Sequence, residues 1–358
     1  MLSNETIFFL CFAAFVLFIM ALDLGAFSKR QSHVVQFKEA ASWSAIWVVL
    51  SIIFYFFLKY YGYLIHGIID MARLEEIKSR YADHVAIVPG NFAASLARFQ
   101  NNMSVEYITG YLVEYSLSAD NIFVFILIFN TFGVRERYYK KILVWGILGA
   151  IVLRFVFIFL GSALIQRFEW IMYLFGAFLV YTGVQLFFQK EEDEQIDTNS
   201  HPVVRFARKY LNVYPRNVED NFFVRDKTNH KLFVTPLFII VIVISFTDLV
   251  FAVDSIPAIF SITKDPYIVF FSNVFAIMGL RSMFFFLSSI MDQFRFLKVG
   301  LAVLLTFIGA KMLAEHWLHD IGFKPVYSLY IIIAILGISV LASWLIPEKK
   351  DNQAGTPV

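Results

Sequence analysis

The chain has 358 residues and a mass of 41.4 kDa, with 59% hydrophobic residues, 16% charged residues and a mean hydropathy of +0.68. Soluble domains carry about 45–50% apolar and about 25% charged residues, whereas here 42 phenylalanines outnumber the 30 lysines and arginines together. A soluble enzyme, a nucleic-acid binder and a disordered scaffold are disfavoured together. A net charge of +2 points to no acidic partner, and one cysteine, Cys11, excludes an intrachain disulfide or thiolate cluster. The composition is that of an integral membrane protein whose surroundings are the lipid bilayer.

A hydrocarbon core of about 30 Å needs about 20 apolar residues in a helix. Nine stretches qualify: 6–27, 42–64, 106–130, 141–163, 168–189, 235–262, 267–290, 294–314 and 326–346. The first has Glu5 and no basic residue ahead of it, and its apolar run is too long for a signal peptide, so it reads as a retained helix. Lysine and arginine gather on one side of this arrangement, 19 against 8, with Arg154, Arg281 and Lys311 inside spans. The positive-inside rule then places the N-terminus outside and the C-terminus in the cytoplasm. The predicted fold class is all-α: a polytopic transmembrane helical bundle of about nine spans, forming one domain over 1–346 with a cytoplasmic tail at 347–358.

Two polar stretches interrupt the spans. The outer segment 65–104 has balanced charge and predicts one or two short surface helices. The cytoplasmic loop 190–234 opens on Glu191, Glu192, Asp193 and Glu194 and continues to Arg205, Arg208 and Lys209. A solvated linker touching lipid headgroups is favoured there over a metal-gathering role. Glu315, His316 and His319 read in the same way as an interfacial loop rather than a zinc site.

Spans 3–5 resemble spans 6–8. Glu114-x5-Asp120 matches Asp248-x5-Asp254, Arg154 matches Arg281, and Phe168 and Gly183 match Phe294 and Gly309, in the same order. Three spans per unit turn the second unit upside down, which predicts an inverted 3+3 repeat (about 106–189 and about 235–314). Inverted repeats with a site near the midplane are a recurring architecture of secondary transporters.

The intramembrane charges point to that site. A carboxylate in mid-bilayer costs about 2.5–3.5 kcal/mol on insertion scales and usually faces a cavity or pathway. Asp23, Glu114, Asp120, Asp248 and Asp254 are the candidates, with Arg154 and Arg281 available for charge pairing. If each arginine takes one acid, three carboxylates remain for a cation. Glu114, Ser118 and Asn121 share one helical face, as do Asp248, Ala252 and Ser255. Asp120 and Asp254 lie about 240° round from Glu114 and Asp248 in a regular helix, so all four converge only if the helix is broken or each acid has a different partner. Pro257 predicts such a break by removing the bond to the carbonyl of Val253. These oxygen donors suit Mn²⁺, Mg²⁺ or Ca²⁺ better than Zn²⁺ or Cu²⁺. Competing readings are purely structural acid–arginine pairs, an interfacial Asp23, and an Asn273 that only bonds a neighbouring helix.

The segments Gly110-Tyr-Leu-Val-Glu114-Tyr-Ser-Leu-Ser-Ala-Asp120-Asn121 and Asp248-Leu-Val-Phe-Ala-Val-Asp254-Ser-Ile-Pro257-Ala258 carry a specific resemblance. With Trp145–Arg154, Ser272–Arg281 and Pro202–Arg225, they resemble the TerC family of membrane proteins, in its Alx-like branch. The likeness covers about 1–64 and 105–346. It implies a bacterial inner-membrane protein, named for tellurium resistance, that exports manganese. By the same resemblance Glu114, Asp120, Asn121, Asp248 and Asp254 would line the cation path and Asp23 would join them. Many members carry Glu three residues before the acid matching Asp248; this chain has Ser245. The expected function is thus a proton-coupled exporter of Mn²⁺, with no resident cofactor. The competing expectation is a non-transporting scaffold for tellurite resistance or for metalation of exported proteins, using segment 65–104. An enzyme is disfavoured, since no nucleophile–base pair, catalytic zinc motif or phosphate loop is present.

Overall fold

The computed structural model describes residues 3–23, 37–168, 170–188, 221–225, 232–287, 296–314, 317–318, 323 and 325–345. Its principal helices are α1 (Asn4–Asp23), α2 (Phe37–Tyr61), α3 (Tyr63–His66), α4 (Met71–Tyr81), α5 (Phe92–Thr131), α6 (Tyr139–Arg167) and α7 (Ile171–Phe188). They continue with α8 (Pro236–Phe260), α9 (Pro266–Leu287), α10 (Leu297–Leu313) and α11 (Pro325–Leu345). A short antiparallel hairpin, β1 (Phe223–Arg225) with β2 (Leu232–Val234), leads into α8. The acidic run and basic patch of the 190–234 loop lie outside the described residues, as do Glu315, His316 and His319.

Each of the nine predicted spans falls on a helix, but length and composition support six of them as membrane spans. These are α1, α2, α6, α8, α9 and α11. The other three fall outside that set among the described residues, where α7 and α10 are shorter apolar helices of 18 and 17 residues. Helix α5 is 40 residues long, and its predicted membrane part contains Glu106, Glu114 and Asp120. At 1.5 Å per residue α5 measures about 60 Å, twice the hydrocarbon thickness.

That length corrects the reading of 65–104 as loop with surface helices. The surface helix α4 is present, capped by Asp70, whose carboxylate accepts from the Arg73 N–H at 2.8 Å. The last part of the segment is instead the first third of α5. Asn91 caps it by accepting from the Ala94 N–H at 3.0 Å, and Ala93, Ala94, Leu96 and Ala97 are strong helix formers. Helix α8 likewise continues through Pro257 to Phe260. The expected break there does not occur, because Pro257 lies in the last turn, where the loss of one backbone bond ends little.

Helix α9 is almost wholly enclosed, packed against α2, α5 and α6. Aromatic rings seal this contact: Phe12 of α1 lies 4.5 Å from Phe271 of α9, and Phe54 of α2 lies 5.1 Å from Tyr107 of α5. Helices α5 and α8 also touch, as do α6 and α9, and α7 and α10. The closest pair is α7 with α10, where backbones meet at glycines. A Cβ on Gly309 would stand 2.6 Å from the Gly176 carbonyl oxygen and 2.7 Å from the Val180 nitrogen.

Gly309→Leu therefore forces α7 and α10 apart. Overpacking of this kind costs about 1–3 kcal/mol, and the variant is expected to lose several degrees of Tm in detergent, read by size-exclusion after heating. A Tm equal to that of the wild type would show that the two helices do not meet in this way.

Candidate functional site

Four helices deliver polar side chains to one buried point. Arg154 of α6 is 1% exposed, Glu114 of α5 is 0% and Asp248 of α8 is 2%. The guanidinium grips Asp248 at both carboxylate oxygens, with Nε donating to Oδ2 at 2.8 Å and Nη2 to Oδ1 at 3.1 Å. Its Nη1 donates to Glu114 Oε1 and to Asn273 Oδ1 of α9. Ser118, one turn along α5, donates to the same Glu114 oxygen at 3.4 Å.

The pairing differs from the one-to-one expectation. A planar fork with five donors reaches two carboxylates at once, so Arg154 joins the corresponding acids of the two sequence units. Two carboxylates against one guanidinium leave the triad one charge negative. Glu114 Oε2 and Asn273 Nδ2 are buried in this cluster without a hydrogen-bond partner among the described residues. Each such atom costs about 1–3 kcal/mol unless something binds it. The cluster thus has spare negative charge and spare oxygen lone pairs in a dry place.

Gly146 and Gly149 of α6 set this geometry by letting α8 approach. A Cβ on Gly149 would lie 2.5 Å from Ser245 Oγ, and one on Gly146 would lie 2.8 Å from Ile244. Ser245 donates to the carbonyls of Gly146 and Val241 at 3.1 and 2.9 Å. The departure from Glu at this position therefore fits a tight helix contact one turn from Asp248.

Helix direction places the remaining acids. Gly110, one turn before Glu114, faces Ile259, three turns beyond Asp248, so α5 and α8 run antiparallel. Asp120 and Asp254 sit on these helices, each about 9 Å along its axis from the Arg154 cluster, in opposite directions. Both helices are continuous, so the backbone positions of the four acids are spread along their axes. The side chains of Asp120, Asp254, Arg281 and Asp23 lie outside the described ones. Asn121 is buried, at 6% exposure. Among the described residues no three His, Cys, Asp or Glu side chains gather closely enough to hold a metal.

A second polar cluster was not anticipated from the sequence. His66 of α3, 1% exposed, has Nε2 2.8 Å from Asp265 Oδ2 and Nδ1 3.7 Å from Glu5 Oε1. Arg73 of α4 donates to that Glu5 oxygen at 2.8 Å and to the His66 carbonyl at 3.2 Å. The signal available was weak: Glu5, His66 and Asp265 each stand at a span end, with nothing in their spacing to join them.

Known proteins place this architecture. The model of the TerC family of integral membrane proteins matches residues 99–351, which takes in the whole Arg154 cluster. The chain belongs to the TerC family. It is 39% identical over 343 residues to a Salmonella typhi protein named as a candidate membrane-bound redox modulator, Alx, covering 96% of this chain and 95% of that one. The Escherichia coli K12 protein of the same name is 38% identical over 344 residues, covering 96% of both chains. A Myxococcus xanthus membrane protein of uncharacterised role is 40% identical over 332 residues, covering 93% and 90%. No solved structure matches. Like these relatives, the TerC chain described here is a multi-pass integral membrane protein.

Removing Arg154 leaves two carboxylates buried without a charged partner among the described residues. Breaking a buried pair in this way costs about 3–5 kcal/mol, so Arg154→Ala should yield little folded protein in membranes. Arg154→Met combined with Glu114→Gln and Asp248→Asn removes all three charges and should recover most of the yield. Equal yields for Arg154→Ala and the wild type would mean that the triad is not a buried ionic unit.

Proposed function

We propose that this TerC protein is a secondary transporter that exports a divalent metal cation, with Mn²⁺ as its cargo, by alternating access. The observation that carries the reading is the buried, net-negative Glu114–Arg154–Asp248 cluster with unpartnered polar atoms. Such groups inside a membrane protein normally mark an ion pathway. An oxygen-only donor set favours a hard cation.

The antiparallel run of α5 and α8 turns the acids into a sequence of stations. Asp120 stands to one side of the Arg154 cluster and Asp254 to the other, each about 9 Å away. In the orientation given by the basic loops, Asp120 faces the cytoplasmic end and Asp254 the outer end of an inner-membrane protein. A cation entering from the cytoplasm would meet Asp120 and Asn121, pass the central pair and leave past Asp254. The inverted repeat supplies two such half-paths, and contact between α5 and α8, α6 and α9, and α7 and α10 supports that pairing of units. Arg154 raises the energy of a cation at the centre, so the ion is held briefly rather than trapped. Protons taking the same carboxylates in turn would drive the exchange.

The structure gives the scaffold alternative less support. Segment 65–104 is not a free platform, because Arg73 and His66 bind it to α1 and to the turn before α9. The redox role in the relatives' names does not rest on a dithiol in this chain, where Cys11 stands alone. Export of a redox-active metal would affect redox balance indirectly.

The test is ⁵⁴Mn²⁺ flux in proteoliposomes of the purified chain. Flux is expected to depend on an imposed proton gradient and to fall at least tenfold in Asp120→Asn and Asp254→Asn. Wild-type rates in both variants would overturn the assignment of these acids. No flux from folded wild-type protein would overturn the transporter reading itself.

A further inference from the structure

Four elements meet at the end of the bundle where α1 and α9 begin. Glu5 comes from α1, His66 from α3, Arg73 from α4 and Asp265 from the turn before α9. The contact is built closely on the backbone as well. Gly67 ends α3 at φ 60°, and a Cβ there would fall 1.8 Å from the Asn4 side chain of α1. A residue other than glycine is excluded twice, by the left-handed backbone and by Asn4.

The imidazole is the one member of this set whose charge changes within an accessible pH range. Burial alone disfavours its charged form. Asp265, by charge and hydrogen bond, and then Glu5 outweigh that penalty and carry the His66 pKa from 6.5 up to about 9. The other groups facing the ring are Tyr81 of α4 and Tyr267 of α9, both with centroids at 5.6 Å. Arg73 backs Glu5, and Arg80 lies over the Tyr81 ring at 5.9 Å. Neutral imidazole can donate its one N–H to Asp265 at 2.8 Å, whereas imidazolium also attracts Glu5 by charge across 3.7 Å. A cavity of about 260 Å³, lined by Tyr81, Thr263 and Lys264 among others, adjoins the cluster. The Asp265 N–H donates to Thr263 Oγ1 at 3.3 Å, so the turn that carries Asp265 also forms part of the cavity wall.

We propose that His66 is a proton-operated latch which, as imidazolium, ties the start of α1 to the turn before α9, and which releases that end of the bundle when it loses its proton in alkaline medium. The stabilisation follows the sign of linkage for a raised pKa. It is fully present below the unfolded value of 6.5 and is lost as pH rises through about 9. Release leaves Asp265 buried and Glu5 partly buried, with Arg73 paired to Glu5 and the Tyr267 N–H donating to Asp265, and the two carboxylates then repel. The proposal builds on the transport reading, in which this is the outer end. It makes outward access sensitive to external alkalinity, at a site separate from the Arg154 cluster.

The test reads geometry and needs no flux. In full-length protein with Cys11→Ser, spin labels at Ser3→Cys and Lys264→Cys report the distance between α1 and the turn before α9. Both positions are exposed. Double electron–electron resonance should give one short distance near neutral pH. It should lengthen and broaden with a midpoint of about 9. His66→Gln, which keeps a neutral hydrogen-bonding side chain, should abolish the transition. Asp265→Asn should move its midpoint down by at least about one pH unit, since a partner that raises the pKa is gone. A wild-type distance that stays constant past pH 10, or a transition that survives in His66→Gln, overturns the latch. If His66→Gln fails to fold, the Asp265→Asn midpoint decides: an unshifted midpoint also overturns it. Absence of Mn²⁺ flux would bear on transport and leave this result unchanged.

Discussion

The structure depends on one buried cation shared by two buried anions. Taking Arg154, Glu114 and Asp248 out of water carries a penalty of several kcal/mol for each ion, offset only when every charge finds a well-placed partner. The guanidinium meets that condition by fixing α6 to α8 through a bidentate grip, to α5 through Glu114 and to α9 through Asn273. The position and rotation of four helices are thereby set at one point. Closely packed glycines allow it: without Gly146 and Gly149, α8 would stand too far from α6 for Arg154 to reach.

On the proposed transport reading, the same arrangement would let the centre serve an ion without keeping it. A site of carboxylates alone would hold a divalent cation tightly, and one neutralised by two arginines would not attract it. One arginine between two acids leaves a modest negative excess, with Glu114 Oε2 still unpartnered among the described residues. The continuity of α5 and α8 places the next acids, Asp120 and Asp254, along the helices rather than at the centre. On the proposed reading, a chain of weak stations would follow from helix geometry and antiparallel packing. The far end of the bundle is held by a different chemistry, in which a protonated histidine replaces the permanent charge of arginine.

Much of this was legible in the sequence because charge is rare against so apolar a background. Glu114, Arg154 and Asp248 stand out from their spans, and the matched spacing of the two acid pairs pointed to their meeting. Their actual partners were not legible. One-to-one pairing was the simpler expectation, and the rotation that brings both acids to Arg154 comes from glycine contacts that leave no periodic mark. Helix α5 exceeded its predicted span because hydropathy marks where a helix enters lipid, not where it begins. The cap at Asn91 and the alanines after it were the signal for the true start. Pro257 was read as a break from its missing N–H alone, although the predicted span 235–262 already placed it only five residues from the helix end. The His66 cluster joins residues 199 positions apart, and no local pattern encodes such a contact.

The most direct test of the central claim is equilibrium binding of Mn²⁺ to the purified, detergent-solubilised protein, followed by loss of the free-ion signal in electron paramagnetic resonance. The account predicts saturable binding that is weakened at least tenfold in Glu114→Gln and is competed by protons as pH falls. A folded protein that leaves the free Mn²⁺ signal unchanged across that range would contradict it.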